Sequence, residues 1–385
     1  MIQWDEGGEI RSALWHSENG IAPHKKIQIV DDTLTADIAY RLACEGKAML
    51  YKGDFQNARQ LLQALLRRVD KPSKKSTRAD RVAKEKTKSP LDIFNLHRLT
   101  QSQRARILGM VLIPINADHS IPLRRAPNVA QACFEAYGEQ AEPYVISLRE
   151  LLGVISAHEW RKKGVPILSR DDEEISIHPH YGVFSPIRGE YIELVLKAPL
   201  PSAIQKKSIA FDIGVGTGVL SVVLAIREIK QIFATDQDDR AIACAKENIM
   251  RLGLSTQIEI HKTNLFPKGK AALIVCNPPW LPAKPSSSLE HAIYDPDSQM
   301  LKGFLNGLND HLLPDGEAWL ILSDLAEHLG LRTRIDLLGL IEQAGLKVLG
   351  RLDTKPRHHK VFDREDSLYF ARSAEITSLW RLTTK

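Results

Sequence analysis

Between residues 208 and 322, short apolar runs alternate with segments of helical periodicity, and this alternation constrains the fold more than any other feature of the chain. The runs at 208–211, 231–235, 257–261, 272–276 and 318–322 have the length and composition of buried strands. Residues 219–228 and 239–252 have those of helices, the second closed by Gly253. Strands joined through helices pair in parallel, because a crossover of a dozen or more residues is needed to bring the chain back in the same direction. Two further runs, 345–352 and 367–373, are read as a closing antiparallel pair. The pattern predicts an α/β domain built on a doubly wound, seven-stranded Rossmann-like sheet.

Two turns close strands of this sheet. The first is Asp212-Ile213-Gly214-Val215-Gly216-Thr217-Gly218, between a strand and a helix. Glycines there let a ligand approach the backbone and meet the amides that open the helix, as a nucleotide-like cofactor requires. A nicotinamide-binding fingerprint would have Gly or Ala where Val219 stands, and it gives no role to the second turn. That second turn is Asn277-Pro278-Pro279-Trp280, after the fourth strand. An amide or exocyclic base nitrogen is a poor nucleophile, since its lone pair is delocalised. Two acceptors aimed at its N–H groups hold that lone pair toward an electrophile. The Asn277 side-chain oxygen and the Pro278 carbonyl have that chemistry. The prolines stiffen the turn and Trp280 offers a flat face for a planar group. The competing reading is a proline-rich loop around a buried tryptophan.

These residues together resemble a class I S-adenosylmethionine-dependent methyltransferase of the amino-methylating kind, whose members carry (N/D)PP(Y/F/W). The resemblance covers about 176–382. Within it, Ser185-Pro186-Ile187-Arg188-Gly189-Glu190-Tyr191-Ile192-Glu193-Leu194-Val195 is similar to the IPRPETELLV segment of release-factor glutamine methyltransferases, and also resembles the small-domain RNA guanine methyltransferases. Ile187, Gly189 and Tyr191 stand where the glutamine family has Arg, Pro and Thr. The resemblance implies the strand order 3-2-1-4-5-7-6 and S-adenosyl-L-methionine as cofactor. It implies cofactor contacts from Asp212, Gly214, Gly216 and Gly218. Asp236 would take the ribose hydroxyls, with nearby Asp238 as the runner-up for that role and a helix-capping acid as the plain alternative for Asp236. Asn264 stands where an acid often meets the adenine amino group, and Phe266 would pack on that ring. Asn277, Pro278, Pro279 and Trp280 become the catalytic turn. Arg188 and Glu190 are candidate substrate residues, lining the pocket mouth or equally holding a domain junction. Ala292-Ile293-Tyr294-Asp295-Pro296-Asp297-Ser298 corresponds to a loop that reads ALxGGxDG in relatives, so Asp295 and Pro296 make it stiffer here. Arg357-His358-His359-Lys360 is read as a solvated loop, with a phosphate contact as the alternative.

A chain of 385 residues has room for a second domain. Residues 1–170 are read as an accessory region, mainly helical or α+β. Its parts are a helical hairpin at 33–69 turning at Gly53-Asp54, a basic linker at 70–90, and a small α+β unit at 91–170. A boundary is expected near 170–174, with the methyltransferase domain at 171–385. No apolar run approaches membrane-spanning length, and the first residues lack the pattern of a signal peptide. Cys44, Cys133, Cys244 and Cys276 are scattered without a CxxC pair, which fits a reducing cytoplasm. His158-Glu159-Trp160-Arg161-Lys162 lacks the second histidine of a zinc motif, so no metal is expected.

The net charge of +5 is concentrated in one place. Residues 67–88 hold ten Lys or Arg against Asp70, Asp80 and Glu85, which leaves the remainder slightly acidic. That run fits phosphate contacts, so the first functional reading is an N-methyltransferase acting on a base in structured RNA. A solvated linker is the plain alternative for the run itself. The second functional reading is a protein glutamine N5-methyltransferase whose amino-terminal region recruits a translation factor or ribosomal protein. A non-enzymatic binding module is the third, and the intact glycine and Asn-Pro-Pro-Trp turns argue against it.

Overall fold

The computed structural model describes residues 1–71, 88–170, 173–186, 189–285, 289–357 and 361–385. It divides into two units, Met1–Lys88 with Asp92–Glu159, and Ser89–Leu91 with Trp160–Lys385. No helix among the described residues is long and apolar enough to cross a membrane.

The first unit is built on one six-stranded sheet. Its strands are β1 (Ile2–Glu6), β2 (Glu9–Trp15), β3 (Ile27–Val30), β4 (Ala48–Tyr51), β5 (Val111–Ile115) and β6 (Tyr144–Ser147), in the order β1-β2-β6-β5-β4-β3. Helices α1 (Ala36–Cys44), α2 (Phe55–Val69), α3 (Pro90–Leu108) and α4 (Ala130–Tyr137) connect them, and α5 (Leu148–Lys163) follows β6. The expected hairpin at 33–69 is therefore corrected to helix–strand–helix. Ala48, Met49, Leu50 and Tyr51 are all buried, and a short run buried on both faces shows no alternation to mark it as a strand. The turn chemistry is as expected: the Asp54 side chain caps α2 by accepting from Gln56 N at 2.8 Å. Residues 91–159 do not form a separate unit either, since β5 pairs with β4 and with β6 in the same sheet. Most of the basic 70–90 segment, residues 72–87, lies outside the described residues.

The second unit opens with a hairpin of β7 (Val165–Arg170) and β8 (Glu173–Ile177), so residues 170–174 belong to one supersecondary element and not to a domain boundary. Helices α6 (Glu190–Lys197) and α7 (Ala203–Lys206) lead into the main sheet. That sheet consists of β9 (Ile209–Ile213), β10 (Gln231–Asp236), β11 (Ile258–Lys262), β12 (Ala271–Cys276), β13 (Leu312–Ser323), β14 (Leu346–Thr354) and β15 (Thr377–Thr384). Their order is β11-β10-β9-β12-β13-β15-β14, parallel through β13 and antiparallel at β15 and β14. Numbered within the sheet this is 3-2-1-4-5-7-6, the order implied by the resemblance. The last strand is corrected from 367–373 to Thr377–Thr384. Tyr369–Ala374 is a helix, α12, and the β-branched and aromatic residues that suit a strand begin at Thr377.

The central strands of the sheet are buried on both faces, and their residues divide with period two. Ala210, Leu273, Val275, Trp319 and Ile321 join the cluster that includes α6 and α8 (Val219–Ile226). Phe211, Ile274, Cys276, Leu320 and Leu322 join the cluster under α10 (Gln299–His311) and α11 (Arg334–Gln343). Ligands of doubly wound sheets bind in the crevice beyond the carboxyl ends of the strands.

Candidate cofactor and acceptor site

The two motif turns close neighbouring strands. Strand β9 pairs in parallel with β12, with Ile213 opposite Cys276, so Gly214 and Asn277 leave the sheet side by side. On the other side of β9, strand β10 ends in Asp236 and completes the edge.

The glycine turn is held from below. Gly214 N and Val215 N donate to the Thr235 carbonyl at 2.9 and 2.8 Å, and Gly216 N donates to Asp236 Oδ2 at 3.1 Å. Gly216 has φ +51°, and no atom lies within 4 Å of where its Cβ would stand. The backbone is thus bare toward open space at this turn. A Cβ on Gly214 would come within 2.9 Å of Met300 Cε, and Gly218 takes φ +87° as it enters α8. Helix α9 (Asp239–Arg251) supplies a further brace: Asn248, fully buried, donates to the carbonyls of Thr217 at 3.1 Å and His178 at 3.2 Å, and accepts from His178 N at 2.8 Å.

Asp212 is buried beneath this turn. Its Oδ2 accepts from Ser221 Oγ at 2.6 Å, while Oδ1 is sealed from solvent without a partner. Burial pushes the carboxyl up to about 7, against the lowering effect of the Ser221 bonds, and the nearby Asp236 charge adds to the rise. Tyr191, fully enclosed, has its hydroxyl raised by burial and by the Asp212 and Glu190 charges. Asp236 uses Oδ1 to accept from Gln237 N at 2.8 Å and Asp238 N at 3.0 Å. Asp238 itself caps α9 through Arg240 N, so the capping role falls to it and not to Asp236.

The other sequence candidates are placed as follows. Asn264 is exposed beyond β11. Phe266 is corrected to a packing role: its ring stacks on His311 at 4.4 Å, lies parallel to Phe304 at 5.9 Å, and fills the space a Cβ on Gly307 would need. Glu190 opens α6 and is buried, with Oε1 lacking a partner. Arg188 lies outside the described residues, as do residues 358–360; Arg357 reaches Glu193 at 3.3 Å.

In the second turn, the Asn277 side-chain oxygen accepts from Trp280 Nε1 at 2.9 Å. Because the indole N–H only donates, this bond fixes which end of the amide is oxygen, and one lone pair of that oxygen stays available. Trp280 packs against both core clusters, so much of its ring is structural. The turn is tied to the following loop by Leu281 N to the Ile293 carbonyl at 3.0 Å and Asp295 N to the Leu281 carbonyl at 2.8 Å. Asp295 then caps α10, accepting from Met300 N at 3.0 Å and Leu301 N at 3.1 Å. As Met300 rests on Gly214, the loop after the second turn braces the first.

Sequence reasoning missed Ser221, Asn248 and this role of Asp295. Two of them carried a signal. Ser221 is the one polar residue in Val219–Ile226, and Asn248 falls on the buried stripe of α9 with Ala241, Cys244 and Ala245.

The sheet order, the bare glycine turn and the orphaned Asp212 oxygen define a class I methyltransferase fold able to receive S-adenosylmethionine. Residues 174–338 match the family described as the methyltransferase small domain, and the proteins this chain is similar to are class I S-adenosylmethionine-dependent methyltransferases. Similar proteins include a release factor glutamine methyltransferase of Cereibacter sphaeroides, 29% identical over 183 residues, covering 43% of this chain and 61% of that protein. A ribosomal protein L11 methyltransferase of Caldanaerobacter subterraneus is 26% identical over 140 residues, 31% of this chain and 44% of its own length. A tRNA1(Val) (adenine(37)-N6)-methyltransferase of Parabacteroides distasonis is 30% identical over 118 residues, 29% of this chain and 50% of its own length. The chain thus spans about half the length of these relatives.

Proposed function

We propose that this protein is an S-adenosylmethionine-dependent N-methyltransferase acting on a planar amino group, and that the acceptor is a base in structured RNA. The observation that carries the reading is the adjacency of Asp212–Gly218 and Asn277–Trp280 at the ends of paired strands. When bound, S-adenosylmethionine supplies an electrophilic methyl on a sulfonium. Asp212 Oδ1, at present unpartnered, would meet the cationic amino-acid end, and the bare backbone at Gly216 would let that moiety lie close against the turn. Asp236 would accept from the ribose hydroxyls at Oδ2, where its backbone donors leave one lone pair free. Asn277 and the Pro278 carbonyl would accept from the two N–H groups of the acceptor, with the Trp280 bond holding the amide in the accepting orientation. No general base is needed, since the product loses its proton to water.

The acceptor class is argued from charge. The 67–88 run supplies sequence-independent attraction for a phosphate backbone. In the first unit a cleft of about 610 Å³ is lined in part by Trp4, Lys25, Lys26 and Lys47, which suits the same kind of partner. A protein glutamine is the second reading, favoured by the likeness to the release factor glutamine methyltransferase. The test is transfer of labelled methyl into a cell extract by the wild type and by Asn277→Ala, followed by separate nuclease and protease digestion. Label released by nuclease and absent with Asn277→Ala is expected. Label released only by protease gives the glutamine reading, and undiminished labelling by Asn277→Ala removes the proposed mechanism.

A further inference from the structure

The six-stranded sheet of the first unit ends in β1 on one side and β3 on the other, and neither has a strand partner on its outer edge. The sheet curls until these two edges come near each other, and the cleft of about 610 Å³ lies between them. Gln3, Trp4 and Asp5 line it on β1, and Lys25, Lys26 and Gln28 line it on β3 and the residues entering that strand. The volume falls within the roughly 300–1,000 Å³ of small-ligand sites. All of these side chains except Trp4 are exposed, so the cleft is open to a ligand from solvent.

The lining residues offer three kinds of contact. Trp4 is half-buried, its Nε1 donates to Glu6 Oε2 at 3.0 Å, and Glu6 Oε1 is in turn held by Lys52 Nζ at 2.8 Å. The polar edge of the indole is therefore satisfied and its orientation fixed, and what Trp4 adds to the cleft is aromatic surface. Lys25 and Lys26 form no ion pair among the described residues, whereas Lys47, also in the wall, is held by Glu45 at 3.0 Å. Gln3 and Gln28 bring carboxamides that both donate and accept, and Asp5 accepts only. An acidic peptide would satisfy the lysines, but it has no use for the indole and is repelled by Asp5. A nucleotide has a counterpart for each: a flat base for Trp4, an edge of donors and acceptors for the glutamines and Asp5, and phosphates for the lysines. In a duplex the faces of a base are covered by its neighbours and its pairing edge is used, so the match is to an unpaired nucleotide.

We propose that this cleft takes an unpaired nucleotide of the RNA, with its base on Trp4 and its flanking phosphates on Lys25 and Lys26. The inference rests on the RNA reading of the acceptor and deepens it, because a structured RNA offers unpaired nucleotides only at loops, bulges and ends. The first unit then selects such a place, while the basic run at 67–88 attracts any phosphate backbone.

The test uses the full chain, with an RNA hairpin carrying an unpaired loop, a fully paired RNA duplex of equal charge, adenosine monophosphate and polyglutamate as probes. Wild type is expected to bind the hairpin more tightly than the duplex. Trp4→Leu should lose about fivefold or more of the hairpin affinity, as removal of one stacking platform does, and little of the duplex affinity. Trp4→Phe should keep most of the hairpin affinity, because a ring remains. Replacing Lys25 and Lys26 together by Ala, at exposed positions, should leave the melting temperature unchanged. It should lower the slope of log affinity against log salt by about 0.7 for each phosphate no longer neutralised. Equal affinity of wild type for hairpin and duplex overturns the proposal, and so does a hairpin preference that survives Trp4→Leu. A loss confined to Trp4→Leu, with a lowered melting temperature and no effect of the lysine pair, also overturns it and makes Trp4 a structural residue. Adenosine monophosphate binding as tightly as the hairpin, with the same dependence on Trp4, assigns the cleft to a free nucleotide. Polyglutamate displacing the hairpin with that dependence assigns it to an acidic protein. Either result overturns the proposal. All these failures leave methyl transfer to RNA standing and defeat the cleft alone, whereas methyl found only on protein defeats the RNA reading on which it rests.

Discussion

The Asp212 carboxyl is held in two opposite ways, by a hydroxyl that favours its charge and by burial that opposes it more strongly. Its folded value of about 7 lies above the ordinary 3.8, so the fold prefers the protonated form. The stability this contributes is fully present below about pH 4 and is lost as pH rises through about 7. Denaturation of the cofactor-free protein from pH 5 to pH 8 should show wild type losing ground to Asp212→Asn, by up to about 1.4 kcal/mol per pH unit. A cationic ligand group beside Oδ1 reverses the preference. S-adenosylmethionine binding should then tighten as pH rises toward 8 and release a proton at pH 6, and Asp212→Asn should flatten both trends. Calorimetry in two buffers of different ionisation heat reads the proton directly, and no release at pH 6 would exclude Asp212 from the cofactor site. Asp212 was legible in sequence because glycines follow it. The brace from Asn248 was not, because one asparagine on a buried helix stripe does not show which carbonyls it ties together. Phe266 misled for the converse reason: an aromatic beside a cofactor loop reads as a stacking face, and only Gly307 and His311 in space reveal that the ring is already packed.

At the level of elements, the loop from Leu281 to Met300 couples the two motif turns, and it does so under strain. Asp297 and Ser298 both take φ +55°, a left-handed conformation that costs non-glycine residues roughly 1–2 kcal/mol each. The strain places Asp295 where it caps α10 through two amides. Asp295→Ala should destabilise the protein by about 1–2 kcal/mol, as loss of a helix cap does. It should also weaken cofactor binding, since Met300 then loses its support over Gly214. Ser298→Gly should have the opposite sign, stabilising by up to about 1 kcal/mol as the left-handed penalty is relieved and the added chain entropy takes part of it back. Chemical denaturation of both variants checks the pair, and equal losses in both would show that the turn is not strained. Sequence marked this loop as stiff from Asp295 and Pro296 but could not show which side chain the stiffness positions. The main strands were readable because each is bounded by turn residues and separated by helical periodicity. Strand β4 was not, since four consecutive buried residues between two helices carry no period of their own.

The molecule pairs a domain with a recognisable site and a unit whose six-stranded sheet has no signature motif. In the first unit the sheet mixes parallel and antiparallel neighbours contributed by segments more than a hundred residues apart, such as β2 and β6, so local pattern could not reveal it. Its charge was readable all the same, because composition does not depend on pairing. If RNA is the acceptor, the run at 67–88 supplies counterion-releasing contacts, and their number sets the salt dependence of binding. Neutralising Lys74, Lys75, Arg78, Arg81 and Lys84 together should weaken RNA binding and lower the slope of log affinity against log salt. The decrease should be about 0.7 to 0.9 for each phosphate that is no longer neutralised. Turnover at saturating RNA should survive, because both motif turns lie in the other unit. A protein acceptor predicts instead that the same five changes leave affinity nearly unaltered, unless that partner is strongly acidic. Isotherms at several salt concentrations separate the cases. An identical slope for wild type and the neutralised variant would leave the basic segment as a solvated connection, and RNA recognition would then have to rest on the Trp4–Lys47 cleft.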